Sequence, residues 1–182
     1  MGIAHGKEMK GSKKKDGGRN VLIPVDASAS SEQALRWALS DFVKPKDAVH
    51  MVTFIADQSP FVRGKDNRLC LIDDAENLAD TKQMKMATDT CKKFMDIANK
   101  EKASGTTYCE VVRYHPGSAT SGVGPAIVHH ASDTEADVII VGSRGLGAVE
   151  RSLSRPLGLG SVSDYTVHNS EAPVVVYKSH HK

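Results

Sequence analysis

Apolar residues follow two alternating rhythms along the chain. Short, nearly continuous apolar runs recur as NVLIPVD at 20–26, AVHMVTFIA at 48–56, TTYCEVVRY at 106–114, ADVIIVG at 136–142 and APVVVYK at 172–178. Their length and β-branched content predict five strands, and the run at 48–56 is apolar enough to suit burial on both faces. Between them the spacing becomes helical. Ala34, Leu35, Trp37, Ala38 and Phe42 follow Ser28, Ser30 and Ser31, any of which suits a helix N-cap, and Pro45 ends the pattern. Leu78, Ala87, Cys91, Phe94, Met95 and Ala98 form one stripe over about 74–102. Ile127, Val128 and Ala131 mark a helix at about 126–134, and a short helix is expected near 162–168. Residues 57–72 and the glycine-rich HPGSATSGVGP at 115–125 read as loops.

Alternating strand and helix patterns predict an α/β domain with a mainly parallel sheet, its crossover helices covering the sheet faces. Pro24 suits a position near a strand end, where its missing N–H is tolerated. In open sheets of this class ligands bind beyond the carboxyl ends of the strands. The candidates are therefore Asp26–Ser31 after the first strand and Gly142–Ser161 after the fourth.

A chain of 182 residues suffices for one domain with a continuous core. Its net charge of +2 is unevenly spread, because residues 1–19 hold six of the 24 Lys and Arg but only two of the 22 Asp and Glu. The remainder, with 18 basic and 20 acidic residues, is mildly acidic, which argues against a nucleic-acid surface. Residues 1–19 read as a disordered basic tail, 20–178 as the folded domain and 179–182 as a C-terminal tail. MGIAHG has Gly6 where a myristoylation signal needs Ser or Thr. Without an 18-residue apolar run or a secretory signal, no membrane association is expected. Cys70, Cys91 and Cys109 are widely separated and lack CxxC spacing, which suits a reduced, cytoplasmic protein.

Gly142 and Gly145 allow close backbone approach to an anion, and Gly160-Ser161 stands where a helix would expose unpaired amides. These are either two lips of a phosphate cradle or ordinary connecting structure. GxxxxGK[ST] is absent, and Glu150 stands where the third dinucleotide glycine would be. An ionised Asp26 can accept hydrogen bonds from ribose hydroxyls; its other reading is a carboxylate stabilising a helix start.

VLIPVDAS, SSEQALRWAL, ADVIIVGSRGLG and GSVSDYTVHNSEAPVVVYK, in this order over about 20–178, resemble the universal stress protein family. The resemblance implies a Rossmann-like, doubly wound sheet of five mainly parallel strands with helices on both faces. It also implies ATP, with Mg2+ accompanying the phosphates. Pro24, Asp26 and Ala27 match the nucleoside side, and Phe54 the strand-two position near adenine. Val141, Gly142 and Gly145 match the first phosphate turn, and Gly160, Ser161, Val162 and Ser163 the second. Fourteen residues separate Gly145 from Gly160, whereas the family spacing is nine; an excursion at SRPLG either leaves both lips in place or covers the phosphate path.

The implied function is an ATP-binding, nucleotide-responsive stress factor. The alternative is a non-nucleotide interaction module that pairs as a homodimer through the terminal PVVVY strand; unknown protein partners are expected in either case. No catalytic residue is nominated, so enzymatic activity extends at most to weak ATP hydrolysis. His115, His129 and His130 are not assigned to a metal, because adjacent helical histidines diverge and no third ligand has suitable spacing. Asp73-Asp74 suits a helix start, and the serines lack a GxSxG elbow.

Overall fold

The computed structural model describes residues 17–56, 61–63, 69–71, 78–101, 105–114, 122–143 and 160–178, with only the backbone described at 61–63, 69–71 and 78–81. Strand β1 (Asn20–Pro24) leads into α1 (Ala29–Trp37), whose N-cap Ser28 accepts the amide of Ser31. Of the three candidate serines, Ser28 is the cap. A wider π-type turn at Ala38–Phe42 closes the helix, with Val43 N donating to Ala38 O at 2.8 Å. Strand β2 (Ala48–Ala56) follows, then α2 (Leu78–Lys100), β5 (Thr106–Tyr114), α3 (Val123–Asp133), β6 (Val138–Gly142), α4 (Ser161–Asn169) and β7 (Val174–Tyr177).

Two short strands, β3 (Phe61–Arg63) and β4 (Leu69–Leu71), pair antiparallel inside the segment expected to be only a loop. Three-residue strands carry too few alternations to show a period. Helix α3 also begins three residues earlier than its apolar pattern suggests. Gly122 takes φ 132° at its N-cap, and Pro125 lies in the first turn, where no N–H is needed.

All five strands of the main sheet run parallel in the order β5-β2-β1-β6-β7. Side-chain alternation divides the core into two layers. Val21, Ile23, Val49, Met51 and Ile140 meet Leu35, Phe94 and Ala98 on the α1 and α2 face. Leu22, Val52, Ile139 and Val141 meet Ile127 and Ala131 on the opposite, α3 face. Each fully buried aliphatic or aromatic side chain in these layers contributes about 1.5–3 kcal/mol. The structure is therefore a Rossmann-like α/β fold with helices on both faces. Among the described residues, no helix is long and apolar enough to cross a membrane.

A polar clasp fixes the opposite, amino-terminal end of the sheet. Asp47 is buried and accepts Arg19 Nη2 at 2.6 Å, Arg19 N at 3.0 Å and Lys44 N at 3.0 Å. Its backbone carbonyl accepts Thr106 N at 3.2 Å, so the same residue joins the starts of β1, β2 and β5. A Cβ at Gly105 would stand 2.1 Å from that carbonyl oxygen, which explains the glycine. Arg19, at the tail boundary, is thus engaged with the sheet.

Burial pushes the Asp47 carboxyl upward, but the Arg19 guanidinium and the two backbone amides hold it below its ordinary value of 3.8. With the folded value depressed, the unfolded chain binds more protons, so the stabilisation is present above pH 3.8 and is lost as pH falls through the folded value. Asp47→Asn is expected to cost about 1.5–3 kcal/mol in urea denaturation at neutral pH. That difference should shrink below pH 3.8, and a pH-independent difference would contradict the assignment.

Candidate functional site

The strand order reverses between β1 and β6, so the chain leaves these neighbouring strands toward opposite faces of the sheet. Such a reversal opens a crevice at the carboxyl edge. One side is the β1–α1 turn. Asp26 Oδ1 accepts Ser28 N at 3.0 Å and Ser31 Oγ at 2.7 Å, and also accepts the Ser28 hydroxyl. Asp26 therefore organises the start of α1. Pro24 closes β1 opposite Val52, and Ala27 is exposed beyond it.

The other side is built by β6 and α4. Ser143 N donates to Tyr177 O at 2.9 Å, while Ser143 O accepts Gly160 N at 2.9 Å. Ser163 Oγ donates to Gly142 O at 2.7 Å, tying the first turn of α4 to the end of β6. Residues 144–159, including Gly145 and SRPLG, lie outside the described residues, but their two ends are thus brought together. Helix α4 starts at Gly160 without a side-chain cap. Its first-turn amides lack intrahelical acceptors, and the helix dipole adds positive potential. Ser161 is exposed there, whereas Val162 packs on the core and Ser163 is buried.

Gly142 has a local reason beyond access to an anion. A Cβ there would stand 2.7 Å from Ser30 Oγ and 3.2 Å from Ser30 O, so glycine lets the start of α1 approach β6. Val141 directs its side chain into the core, leaving its backbone at this edge. Phe54 packs on the α3 face, with its ring edge-to-face with His130 at 5.8 Å between centroids.

The structure assembles a second cluster that linear spacing misses. His50 from β2, Glu110 from β5 and His130 from α3 offer ligand atoms all within 4.8 Å of one another. His50 Nε2 lies 2.6 Å and His130 Nε2 3.2 Å from Glu110 Oε1. His129 points away to solvent and meets Asp133 at 2.8 Å, as expected for adjacent helical residues. His115 and the Asp73-Asp74 pair lie outside the described residues. The groups that meet His130 come from two strands, β2 and β5, and not from its own helix. The available sequence signals are weak: His50 interrupts an apolar run, and Glu110 is the one acidic residue in TTYCEVVRY.

The two imidazoles hold the Glu110 carboxyl down to about 2, His130 having the larger effect, while burial pushes His50 below its ordinary value of 6.5. At neutral pH this juxtaposes a carboxylate with an uncharged buried His50. On the other sheet face, Cys91 and Cys109 also come together, their sulfurs 2.8 Å apart. Hydrogen bonding from Cys109 lowers the Cys91 thiol to about 7, and the same contact holds Cys109 upward.

The sequence profile described as the Universal stress protein family matches residues 18–178. The chain belongs to this family. It is 30% identical over 168 residues to Universal stress protein PHOS32 of Arabidopsis thaliana, covering 88% of this chain and 64% of that protein. The chain thus spans less than two thirds of that relative. The solved structure of hypothetical protein MJ0577 shares the fold at TM-score 0.64 and 21% identity, with coverage of 90% of this chain and 98% of the other. A universal stress protein family protein from Arabidopsis thaliana, solved with AMP bound, has TM-score 0.53 and 17% identity, with coverage of 89% and 92% respectively.

Gly142→Ala should destabilise the fold by about 1–3 kcal/mol through overpacking. Ser30 Oγ is buried without a hydrogen-bond partner among the described residues. Adding Ser30→Ala should consequently restore part of the loss, measured as a coupling in a denaturant double-mutant cycle. Strict additivity would contradict the proposed contact.

Proposed function

We propose that this chain is an ATP-binding universal stress protein that works in the cytoplasm as a nucleotide-responsive stress factor. The observation that carries the reading is the convergence of the β1–α1 turn and the uncapped start of α4 at the strand-order reversal. In this reading Pro24, Asp26 and Ala27 border the nucleoside, and Phe54 flanks the base. The backbone at Val141, Gly142 and Gly145 forms one phosphate lip. Gly160, Ser161, Val162 and Ser163 form the other, with donors drawn from the first-turn amides and the exposed Ser161 hydroxyl. Gly160 N is already used by Ser143 O, so the lip depends on the amides after it.

The Ser143–Gly160 closure keeps Gly142 beside the start of α4, which supports the pairing of the two lips. AMP in the Arabidopsis structure adds support for an adenine nucleotide. Mg2+ would accompany the phosphates and neutralise their charge; no protein cage for it is required. No residue is assigned to a chemical step, so the proposed role is binding and response. Titration calorimetry with ATP and AMP, with and without Mg2+, should give binding heat and ligand-induced protection of this edge. No heat and no protection would reject the proposal. Gly160 has φ −67°, which other residues adopt freely, so Gly160→Val tests crowding at the lip; it should weaken ATP by at least about tenfold.

A second reading follows from β7, the outer strand of its side of the sheet, whose VVVY residues remain only half-buried. Such an edge presents unpaired backbone groups to another chain. We propose a homodimer paired there, serving as the interaction surface of the same domain. Sedimentation at micromolar concentration should give twice the monomer mass, whereas monomer alone would count against it.

A further inference from the structure

We propose that His50, Glu110 and His130 form a Zn2+ site on the α3 face of the sheet, separate from the nucleotide edge. The placement begins with register. His50 pairs with Tyr108 across β2 and β5, and Glu110 lies two residues farther along, so all three side chains share one sheet face. Helix α3 crosses that face through Ile127 and Ala131, bringing His130 against the strands. Phe54 lies four positions beyond His50 along β2, a strand rise of about 13 Å toward the carboxyl edge, with its ring reaching back to His130 at 5.8 Å.

The donor set fits the metal. Two imidazole nitrogens and one carboxylate oxygen are borderline ligands appropriate to Zn2+, and three protein ligands leave a fourth position for water. His50 is 5% exposed and His130 14%, whereas Glu110 is 25% exposed and leaves a route for entry. Both Nε2 atoms approach the carboxylate closely but out of alignment. His50 Nδ1 and Nε2 and His130 Nε2 are buried without directed hydrogen-bond partners among the described residues. His50 Nδ1, with no partner among the described residues, costs about 1–3 kcal/mol, and coordination would use the Nε2 lone pairs that converge on Glu110 directly.

The surrounding shell restrains both rings. Tyr108 stacks on His50 at 4.1 Å between centroids with an interplanar angle of 23°, and Phe54 meets the edge of His130. A crevice of about 10 Å3, roughly the room for one water molecule, is lined by Asn20, His50, Tyr108 and Thr134 among others. A polar group there would fix the His50 tautomer, as outer partners of metal-bound histidines do. An ordinary histidine–carboxylate contact would need neither the third residue nor this convergence of undirected nitrogens. Nucleotide binding is not required, so the two proposals fail separately.

The test uses the full chain after chelator treatment, with Zn2+ alone as the probe. His180→Ala/His181→Ala serves as the background, removing a competing histidine pair near the C-terminus. In that background one equivalent of Zn2+ should bind and raise the melting temperature, and Co2+ substitution should give the visible spectrum of a low-coordinate nitrogen and oxygen site. Glu110→Gln keeps side-chain size and His130→Asn removes the imidazole, and each takes away one ligand. Each should lower Zn2+ affinity by more than the roughly 10–100-fold typical of losing a supporting residue, with circular dichroism verifying the fold. Absence of stoichiometric Zn2+, or unchanged affinity in both folded variants, would overturn the site.

Discussion

Burial of β1 on both faces is the constraint on which the architecture depends. Val21, Leu22 and Ile23 are at most 1% exposed, and their strand pairs with β2 on one side and β6 on the other. An apolar central strand needs a helix layer above and below, and parallel neighbours require crossovers long enough to supply them. The same condition sends every strand's carboxyl end to one edge. Because β2 and β6 flank β1, the connections diverge there and leave the crevice in which the β1–α1 turn and α4 meet.

The two candidate sites use this scaffold differently. At the carboxyl edge the useful groups are largely backbone amides, and side chains such as Val141 and Val162 serve the underlying core. Small residues matter because helix and strand approach closely, as Ser30 and Gly142 illustrate. On the α3 face, chemistry instead comes from side chains that interrupt an otherwise apolar layer. His50 and Glu110 are tolerated because each meets the other, while Tyr108 and Phe54 limit the freedom of the rings. Asp47 follows the same rule at the amino edge, where Arg19 and two backbone amides offset its desolvation.

Local pattern made the principal elements legible. Val21–Ile23 and Val138–Val141 are too continuously apolar for a surface loop, and the spacing of Cys91, Phe94 and Ala98 is helical. Features below the reach of periodicity were less visible. The β3–β4 hairpin has three residues per strand, and α3 starts inside a segment whose Gly122, Gly124 and Pro125 read as loop chemistry. Gly142 was legible as a close-approach position, but its neighbour Ser30 was not. Likewise His130 stood out, while His50 and Glu110, 80 and 20 positions away, carried no shared linear signal.

The amino-acid sequence by itself determined the succession of strands and helices, the family resemblance and the glycine positions flanking the strand-four loop. These are local properties, set by side-chain period, backbone freedom and capping chemistry. Tertiary structure decided which residues meet: Ser143 with Gly160, Cys91 with Cys109, and His50 with Glu110 and His130. Those pairings depend on strand order and register, since parallel crossovers place residues far apart in the chain on the same edge or face.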